Sequence, residues 1–171
     1  MDLKEGFNVI NKAREFSILH HGDQRYGVHP YSVHLDAVAS IASAYGESAE
    51  VVAYLHDVVE DTQVSTADIE TIFGSLVADC VAILTDEPGE NRKERKTKTY
   101  QKMAAVTGKA ELALVVKAAD RLANVRACIV DKNQRLLDIY KSEHKVFSQS
   151  VYRKGLCEPL WMELNESWTK P

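Results

Sequence analysis

Residues 52–62 read VAYLHDVVEDT, and this stretch decides both the fold and the chemistry expected of the chain. Its first half is apolar enough for the interior of a buried helix. An imidazole (His56) and three carboxylates (Asp57, Glu60 and Asp61) then follow within six residues. Removing even one carboxylate from water is costly unless a partner compensates its charge. The stretch therefore predicts a positive group at the polar end of this helix.

The composition is that of an ordinary soluble protein, with 171 residues, 45% apolar content and a net charge of −4. This length suits a single domain spanning residues 1–171. The acidic balance gives no general attraction to nucleic acid or to anionic membranes, so neither is expected as a partner. The charged start MDLKEGFNVINKAREF lacks the apolar block of a signal peptide. No apolar run approaches the roughly 20 residues that cross a bilayer.

The cysteines are odd in number, widely separated and never in a CxxC pair (Cys80, Cys128 and Cys157). This usage is typical of reduced thiols rather than of disulfides or zinc ligands. We therefore expect a cytoplasmic protein.

Apolar residues recur with helical spacing along most of the chain, and we find no convincing alternating strand. The pattern predicts an all-α, single-domain helical bundle. A first helix should end near His21, and the glycine- and proline-containing residues 22–30 should form a loop. The second helix should end at Gly46. Its inward residues should be Val33, Ala37, Val38, Ile41 and Ala44.

The stretch quoted above belongs to a third helix, which should start near Ser48 and continue through the acidic residues. Ser65 with Asp68 resembles a capping box that opens a short helix. Further helices are expected near residues 111–130 and 134–154.

Two more polar residues lie on faces that should be buried. His34 shares a helix face with apolar neighbours, and Asp120 follows the apolar run LALVVKAA. Taken singly, such residues are usually hydrogen-bonded core histidines or capping carboxylates. Together, two imidazoles and two carboxylates would suit a divalent cation such as Mn²⁺, Fe²⁺ or Zn²⁺ (His34, His56, Asp57 and Asp120). Spacing alone leaves both readings open, because it does not show that the helices converge.

Three segments resemble one known family. LHDVVEDT (55–62), VKAADRLANVR (116–126) and DQRYGVHPYSVH (23–34) look like motifs of the hydrolase domain of RelA/SpoT-type alarmone enzymes, within the HD-domain superfamily. The resemblance covers most of residues 16–130 in the right order. Long family members carry a synthetase and regulatory modules, for which this chain has no length. It therefore resembles a stand-alone small alarmone hydrolase.

The resemblance implies Mn²⁺-dependent hydrolysis of the 3′-diphosphate of guanosine penta- or tetraphosphate, giving GTP or GDP and pyrophosphate. The implied metal ligands are His34, His56, Asp57 and Asp120. The implied catalytic acids, which would orient the attacking water and take its proton, are Glu60 and Asp61. The implied substrate contacts are Arg25 and Asn124, and Tyr26 or Tyr31 is available to stack on the base.

Local cations must attract the phosphates, because the chain is acidic overall. The dense basic segment supplies candidates, of which some would face the substrate: Arg92, Lys93, Arg95, Lys96 and Lys98. Tyr26 stands where many family members carry a second basic residue, and Ala123 stands where many carry a larger side chain. These departures leave both guanine and adenine alarmones open as substrates.

Two other functions also stay open. Another HD-domain nucleotide phosphohydrolase, such as a nucleoside 5′-monophosphatase, would use the same metal ligands. A non-catalytic alarmone-binding module would bind the nucleotide without turnover. The oligomeric state is open as well, a homodimer included.

Overall fold

The computed structural model describes the backbone of residues 3–168 and the side chains of residues 9–168. The helices in chain order are α1 (Leu3–His21), α2 (Ser32–Ala42), α3 (Glu47–Leu55), α4 (Val58–Asp61), α5 (Thr66–Phe73), α6 (Ser75–Leu84), α7 (Arg92–Ala104), α8 (Leu112–Val130), α9 (Gln134–Val151) and α10 (Glu158–Ser167). Short 3₁₀ turns lie at Ser43–Tyr45 and Gly108–Glu111. The predicted all-α fold is confirmed.

The loop expected at residues 22–30 contains a small antiparallel hairpin of β1 (Arg25–Tyr26) and β2 (His29–Pro30). Its turn places Gly27 at a φ of 59°, which glycine adopts without steric penalty. Strands of two residues are too short to produce an alternating pattern, so the sequence did not reveal them.

Helix α8 runs through the centre of the bundle. Helices α2, α3, α6, α9 and α10 all pack against it, and most of its residues between Ala113 and Cys128 are buried. The buried apolar side chains of the described residues form one continuous core. A site residue on α8 is therefore held from several sides. Within residues 3–168, no helix is both long and apolar enough to cross a membrane.

Local sequence signals were reliable guides to helix ends. Helix α1 ends at His21 as predicted. The capping box is present, since the Asp68 amide donates to Ser65 Oγ (3.2 Å) and the Ser65 amide donates to Asp68 Oδ2 (2.9 Å). Both features depend on residues close together in the chain, which is why sequence alone could place them.

The inward face of the second helix was predicted incorrectly at three positions: Val33, Ala37 and Ala44, the last of which is exposed in the 3₁₀ turn after α2. Val33 is 46% exposed and Ala37 also faces outward. The buried stripe instead consists of His34, Leu35, Val38, Ala39 and Ala42. Helix α2 packs against both α3 and α8, so its buried face is wide and rotated from the one that periodicity suggested. His34 is buried on either reading.

We expect Leu114→Ala to lower the free energy of unfolding by about 2–5 kcal/mol, because it leaves a cavity in the core around α8. Leu114 is 0% exposed. The matched control is Leu19→Ala, since Leu19 is 75% exposed and its loss should change stability by less than about 0.5 kcal/mol. Urea denaturation followed by circular dichroism measures both. Equal effects of the two variants would contradict the central place given to α8.

Candidate metal centre and its cleft

Two imidazoles and two carboxylates meet where α2, the α3–α4 junction and α8 approach one another. His34 Nε2 lies 3.8 Å from Asp57 Oδ2 and 3.5 Å from Asp120 Oδ1. His56 Nε2 lies 2.9 Å and 3.8 Å from the same two oxygens. The ligand atoms of His34, His56 and Asp57 all fall within 4.8 Å of one another. The structure thus brings together the four residues that the sequence nominated.

The orientation of His56 suits a cation. Its Nδ1 lies 2.7 Å from the Ala53 carbonyl oxygen, which only accepts, so Nδ1 carries the proton and donates it there. Nε2 therefore points into the cluster, and among the described residues this buried atom finds no aligned hydrogen-bond partner. A hydrogen bond to the outer nitrogen is the usual arrangement of a metal-ligating histidine.

The four nitrogen–oxygen separations within the cluster also fit one ion. Two atoms bound to the same ion at about 2.1 Å, about 90–110° apart, are separated by roughly 3.0–3.4 Å. The observed separations of 2.9–3.8 Å bracket this range. Burial lowers the pKa of His56, but the Asp57 carboxylate more than offsets this and raises it to about 9. The cluster therefore attracts positive charge, and its mixed nitrogen and oxygen donors suit Mn²⁺, Fe²⁺ or Zn²⁺ alike.

Lys117 supplies part of the positive charge that the sequence predicted near the buried carboxylates. Its Nζ lies 3.0 Å from Asp120 Oδ2, and the residue is only 7% exposed. Burial alone would lower the pKa of this ammonium, but Asp120 and Asp57 raise it above its ordinary value. One ammonium against two carboxylates leaves one negative charge, which the His56 imidazolium or a bound cation can compensate. Sequence analysis missed Lys117, although its spacing of three residues before Asp120 on one helix was a usable signal.

The helix that carries the HD pair is broken rather than continuous. Helix α3 ends at Leu55 and α4 begins at Val58, with Asp57 at φ −105° and ψ −5° between them. The hydroxyl of Tyr31 donates a short hydrogen bond to the Asp57 carboxylate from outside the helix. The break lets Asp57 turn toward the cluster beside His56, which the uninterrupted helix of the sequence prediction would not do.

The two acidic residues after the pair occupy different places. Glu60 lines the cleft, and its Oε2 accepts a hydrogen bond from the Asp86 amide (3.0 Å). Desolvation raises the pKa of the Glu60 carboxyl above its ordinary value. Asp61 lies at the exposed rim, where Gln24 Nε2 donates to its Oδ2 (2.7 Å).

A cleft of about 150 Å³ opens beside the cluster, and it is lined by Glu60 and by four cations that together we call the basic wall. The cations that line it are Arg92 and Lys96 of α7 and Lys117 and Arg121 of α8. Lys93, Arg95 and Lys98 lie outside the lining, because residues four apart, such as 92 and 96, share one helix face. Sequence reasoning proposed the basic segment but could not select its inward face.

Glu143 of α9 joins two of these cations. It accepts from Arg92 Nε (3.0 Å) and from Arg121 Nη2 (3.1 Å). The Arg121 guanidinium also stacks over the rings of Tyr140 and Phe147, at 4.6 and 4.4 Å from their centroids. Both guanidinium groups are thereby held at the cleft before any ligand arrives.

Of the substrate contacts implied by the resemblance, some line the cleft and one does not. Tyr26 and Asn124 line the cleft, where the Tyr26 hydroxyl donates to Asn124 Oδ1 (2.8 Å). Arg25 is exposed and donates to the Val28 carbonyl oxygen across the hairpin turn (2.8 Å). It lies outside the lining.

The fold and this cluster define an HD-domain protein, and the chain belongs to that family: the family model described as HD domain matches residues 13–157. Its relatives include the guanosine-3′,5′-bis(diphosphate) 3′-pyrophosphohydrolase MESH1 of Drosophila melanogaster, with 37% identity over 80% of this chain and 78% of that protein. Enzymes of the same name from Vibrio cholerae and Aquifex aeolicus are 35% and 29% identical over 80% and 92% of this chain. These similarities confirm the resemblance to alarmone hydrolases.

The chain spans about a fifth of the length of most bacterial relatives, 20% for Vibrio cholerae and 22% for Aquifex aeolicus. Among solved structures, a metazoan ortholog of SpoT described as hydrolysing ppGpp superposes with a TM-score of 0.80 and 28% identity, over 94% of each chain. The protein lmo0812 of Listeria monocytogenes, with a TM-score of 0.64 and 24% identity over 81% of this chain and 98% of its own, shares the fold.

We expect His56→Ala and Asp120→Ala each to abolish tight Mn²⁺ binding, because each removes one donor from the cluster. Isothermal titration calorimetry with MnCl₂ measures the loss. His20→Ala is the matched control, since His20 is exposed at the end of α1 and outside the cluster. Wild-type affinity in either cluster variant would show that the four residues do not share an ion.

Proposed function

We propose that this chain is a metal-dependent hydrolase that removes the 3′-diphosphate of guanosine tetra- or pentaphosphate, yielding GDP or GTP and pyrophosphate. The observation that carries the proposal is that the His34–His56–Asp57–Asp120 cluster adjoins a cleft lined by Glu60 and by four cations. The names of the relatives, among them a MESH1 pyrophosphohydrolase matched over most of both chains, support the same substrate class.

In this proposal His34, His56, Asp57 and Asp120 hold one divalent ion, with Mn²⁺ as the first candidate and Fe²⁺ or Zn²⁺ compatible with the same donors. When bound, such an ion supplies Lewis acidity toward a phosphoryl oxygen and makes water a better nucleophile at neutral pH. Lys117 keeps one Asp120 oxygen engaged (3.0 Å), so that the other is directed into the cluster.

Glu60 is the candidate general base. It lines the cleft beside the cluster, and its raised pKa brings it closer to the pH at which a base accepts a proton most effectively. Asp61 is proposed as the second acidic residue at the rim, with its carboxylate oriented by Gln24. Together they would orient the attacking water and accept its proton.

The cations of the basic wall bind the phosphates. Arg92 presents a guanidinium group that suits contacts to phosphate, and Lys96 and Lys117 act as point charges. Arg121 is 4% exposed and already donates to Tyr100, Tyr140 and Glu143, so it contributes its charge while its donors stay engaged. These cations offset the repulsion that an acidic protein exerts on a polyanionic nucleotide. Tyr26 and Asn124 also line the cleft and are the candidate contacts to the nucleoside, and Arg25 stands outside the cleft as a candidate for distal contacts. Purine identity stays open between guanine and adenine.

We also propose that residues 1–171 act as one domain on a small nucleotide in the cytoplasm, without nucleic acid or membrane as partner. One continuous core among the described residues supports the single domain. The cysteines Cys80, Cys128 and Cys157 are free and buried, in keeping with a reducing compartment.

Product analysis tests the function. The protein is incubated with MnCl₂ and, separately, with guanosine tetraphosphate, guanosine pentaphosphate, the adenosine tetraphosphate and a set of nucleoside 5′-monophosphates. Pyrophosphate released from a 3′-diphosphate substrate supports the proposal. Inorganic phosphate released from 5′-monophosphates alone would instead indicate a 5′-monophosphatase. Tight binding of guanosine tetraphosphate with no product over hours would indicate a non-catalytic binding module.

For Glu60→Gln we expect turnover to fall by about 10²–10⁴-fold, the usual contribution of a general base, while Mn²⁺ affinity stays near that of the wild type. The amide keeps the size of the side chain but cannot accept the proton. Steady-state pyrophosphate release and titration calorimetry measure the two quantities. Glu70→Gln is the control, because Glu70 is exposed on α5. Unchanged turnover in Glu60→Gln would contradict the proposed role of Glu60 as general base.

A further inference from the structure

Three side chains from the hairpin and its flanks reach three separate parts of the site. Gln24 Nε2 donates to Asp61 of α4 (2.7 Å), and the Tyr31 hydroxyl donates to Asp57 at the α3–α4 junction. Between them in sequence, the Tyr26 hydroxyl donates to Asn124 Oδ1 of α8 (2.8 Å). A segment of eight residues, 24–31, therefore contacts every element that carries an acidic site residue.

Tyr26 makes a second contact with the site through its ring. The phenol ring stacks on the His34 imidazole, with centroids 4.7 Å apart and planes inclined by 16°. His34 is only 3% exposed, so this ring covers the side of the imidazole that faces the hairpin. Desolvation raises the pKa of the Tyr26 phenol, and the hydroxyl stays a neutral donor.

Asn124, which accepts the hydrogen bond from Tyr26, in turn donates to the candidate metal ligand Asp120. Its Nδ2 donates to the Asp120 carbonyl oxygen (3.0 Å) and to Asp120 Oδ1 (2.5 Å). That Oδ1 is the oxygen that lies 3.5 Å from His34 Nε2 and 3.8 Å from His56 Nε2. The two Asp120 oxygens only accept, so they require the amide nitrogen on their side, and the Tyr26 hydroxyl then donates to the amide oxygen and completes this orientation.

We propose that Tyr26 is a positioning residue of the metal centre, which orients Asp120 through Asn124 and holds the imidazole plane of His34 by stacking. The Asn124 amide nitrogen donates to two oxygens of Asp120, so Asn124 supports a candidate ligand, and its contact with a nucleotide stays a prediction. The inference rests on the metal centre of the proposed function, not on the identity of the substrate. Substituting a residue that hydrogen-bonds to a metal ligand typically lowers metal affinity by 10–100-fold.

The first test is Tyr26→Phe, which keeps the stacked ring and removes only the hydroxyl. We expect the dissociation constant for Mn²⁺, measured by titration calorimetry without nucleotide, to rise by about 10-fold. The thermal midpoint without metal should stay near that of the wild type. The matched control is Tyr152→Phe, which loses a similar hydrogen bond to Glu158 (2.8 Å) away from the cleft and should leave Mn²⁺ affinity unchanged.

A double-mutant cycle separates positioning from a general effect on folding. Asn124→Ala should weaken Mn²⁺ binding by a similar factor, and adding Tyr26→Phe in that background should have no further effect, because the hydroxyl acts through Asn124. Tyr26→Leu also loses the stack on His34 and should bind Mn²⁺ more weakly than Tyr26→Phe.

Wild-type Mn²⁺ affinity in Tyr26→Phe would overturn the inference, and so would an undiminished effect of Tyr26→Phe in the Asn124→Ala background. The two proposals fail separately. A wild-type protein that releases no pyrophosphate but loses Mn²⁺ affinity on Tyr26→Phe would refute the substrate and support the inference. A wild-type protein that binds no Mn²⁺ would overturn the inference even if pyrophosphate were released.

Discussion

The site depends on the compensation of buried negative charge. Asp57 and Asp120 approach two imidazoles in a place largely removed from water, and carboxylates there are costly without a cation. Lys117 engages one oxygen of Asp120 and neutralises one charge. The ligand atoms of His34, His56 and Asp57 lie within 4.8 Å of one another, and Asp120 Oδ1 lies 3.5 Å from His34 Nε2. A divalent ion there would compensate the second charge. Helix α2, the α3–α4 junction and α8 hold the four residues around it.

The backbone contributes to this arrangement by interrupting a helix. If α3 continued through residue 61, the HD pair and the two following acids would follow regular helical positions. The break after Leu55 leaves Asp57 in reach of Tyr31. Within α4, successive residues lie about 100° apart around the axis, so Glu60 lines the cleft while Asp61 is exposed beside Gln24. Adjacent carboxylates thereby acquire different surroundings, and the desolvated Glu60 has the raised pKa. Different environments are what allow neighbouring acids to take different roles.

Acidic and basic side chains both line the cleft. The acids and imidazoles come from α2, α4, the α3–α4 junction and α8, whereas the guanidinium groups of Arg92 and Arg121 are held from behind by Glu143 of α9. In the proposed function, the cations of the basic wall attract a polyanionic substrate to the cleft, which adjoins the candidate metal ligands. Preorganisation of this kind reduces the entropy lost on binding, because the cationic side chains are already ordered.

Sequence alone determined the helical class, the capping box at Ser65, and the nomination of His34, His56, Asp57 and Asp120, because periodicity and short motifs report on neighbours within a turn or two. It also led to the family, which the comparisons confirmed. Only the tertiary structure decided which cations line the cleft, where the helix breaks, and that Tyr26 contacts Asn124, 98 positions away in the chain. Those contacts depend on how α2, α8 and the hairpin pack together, and packing between distant segments leaves no periodic trace in the amino-acid order.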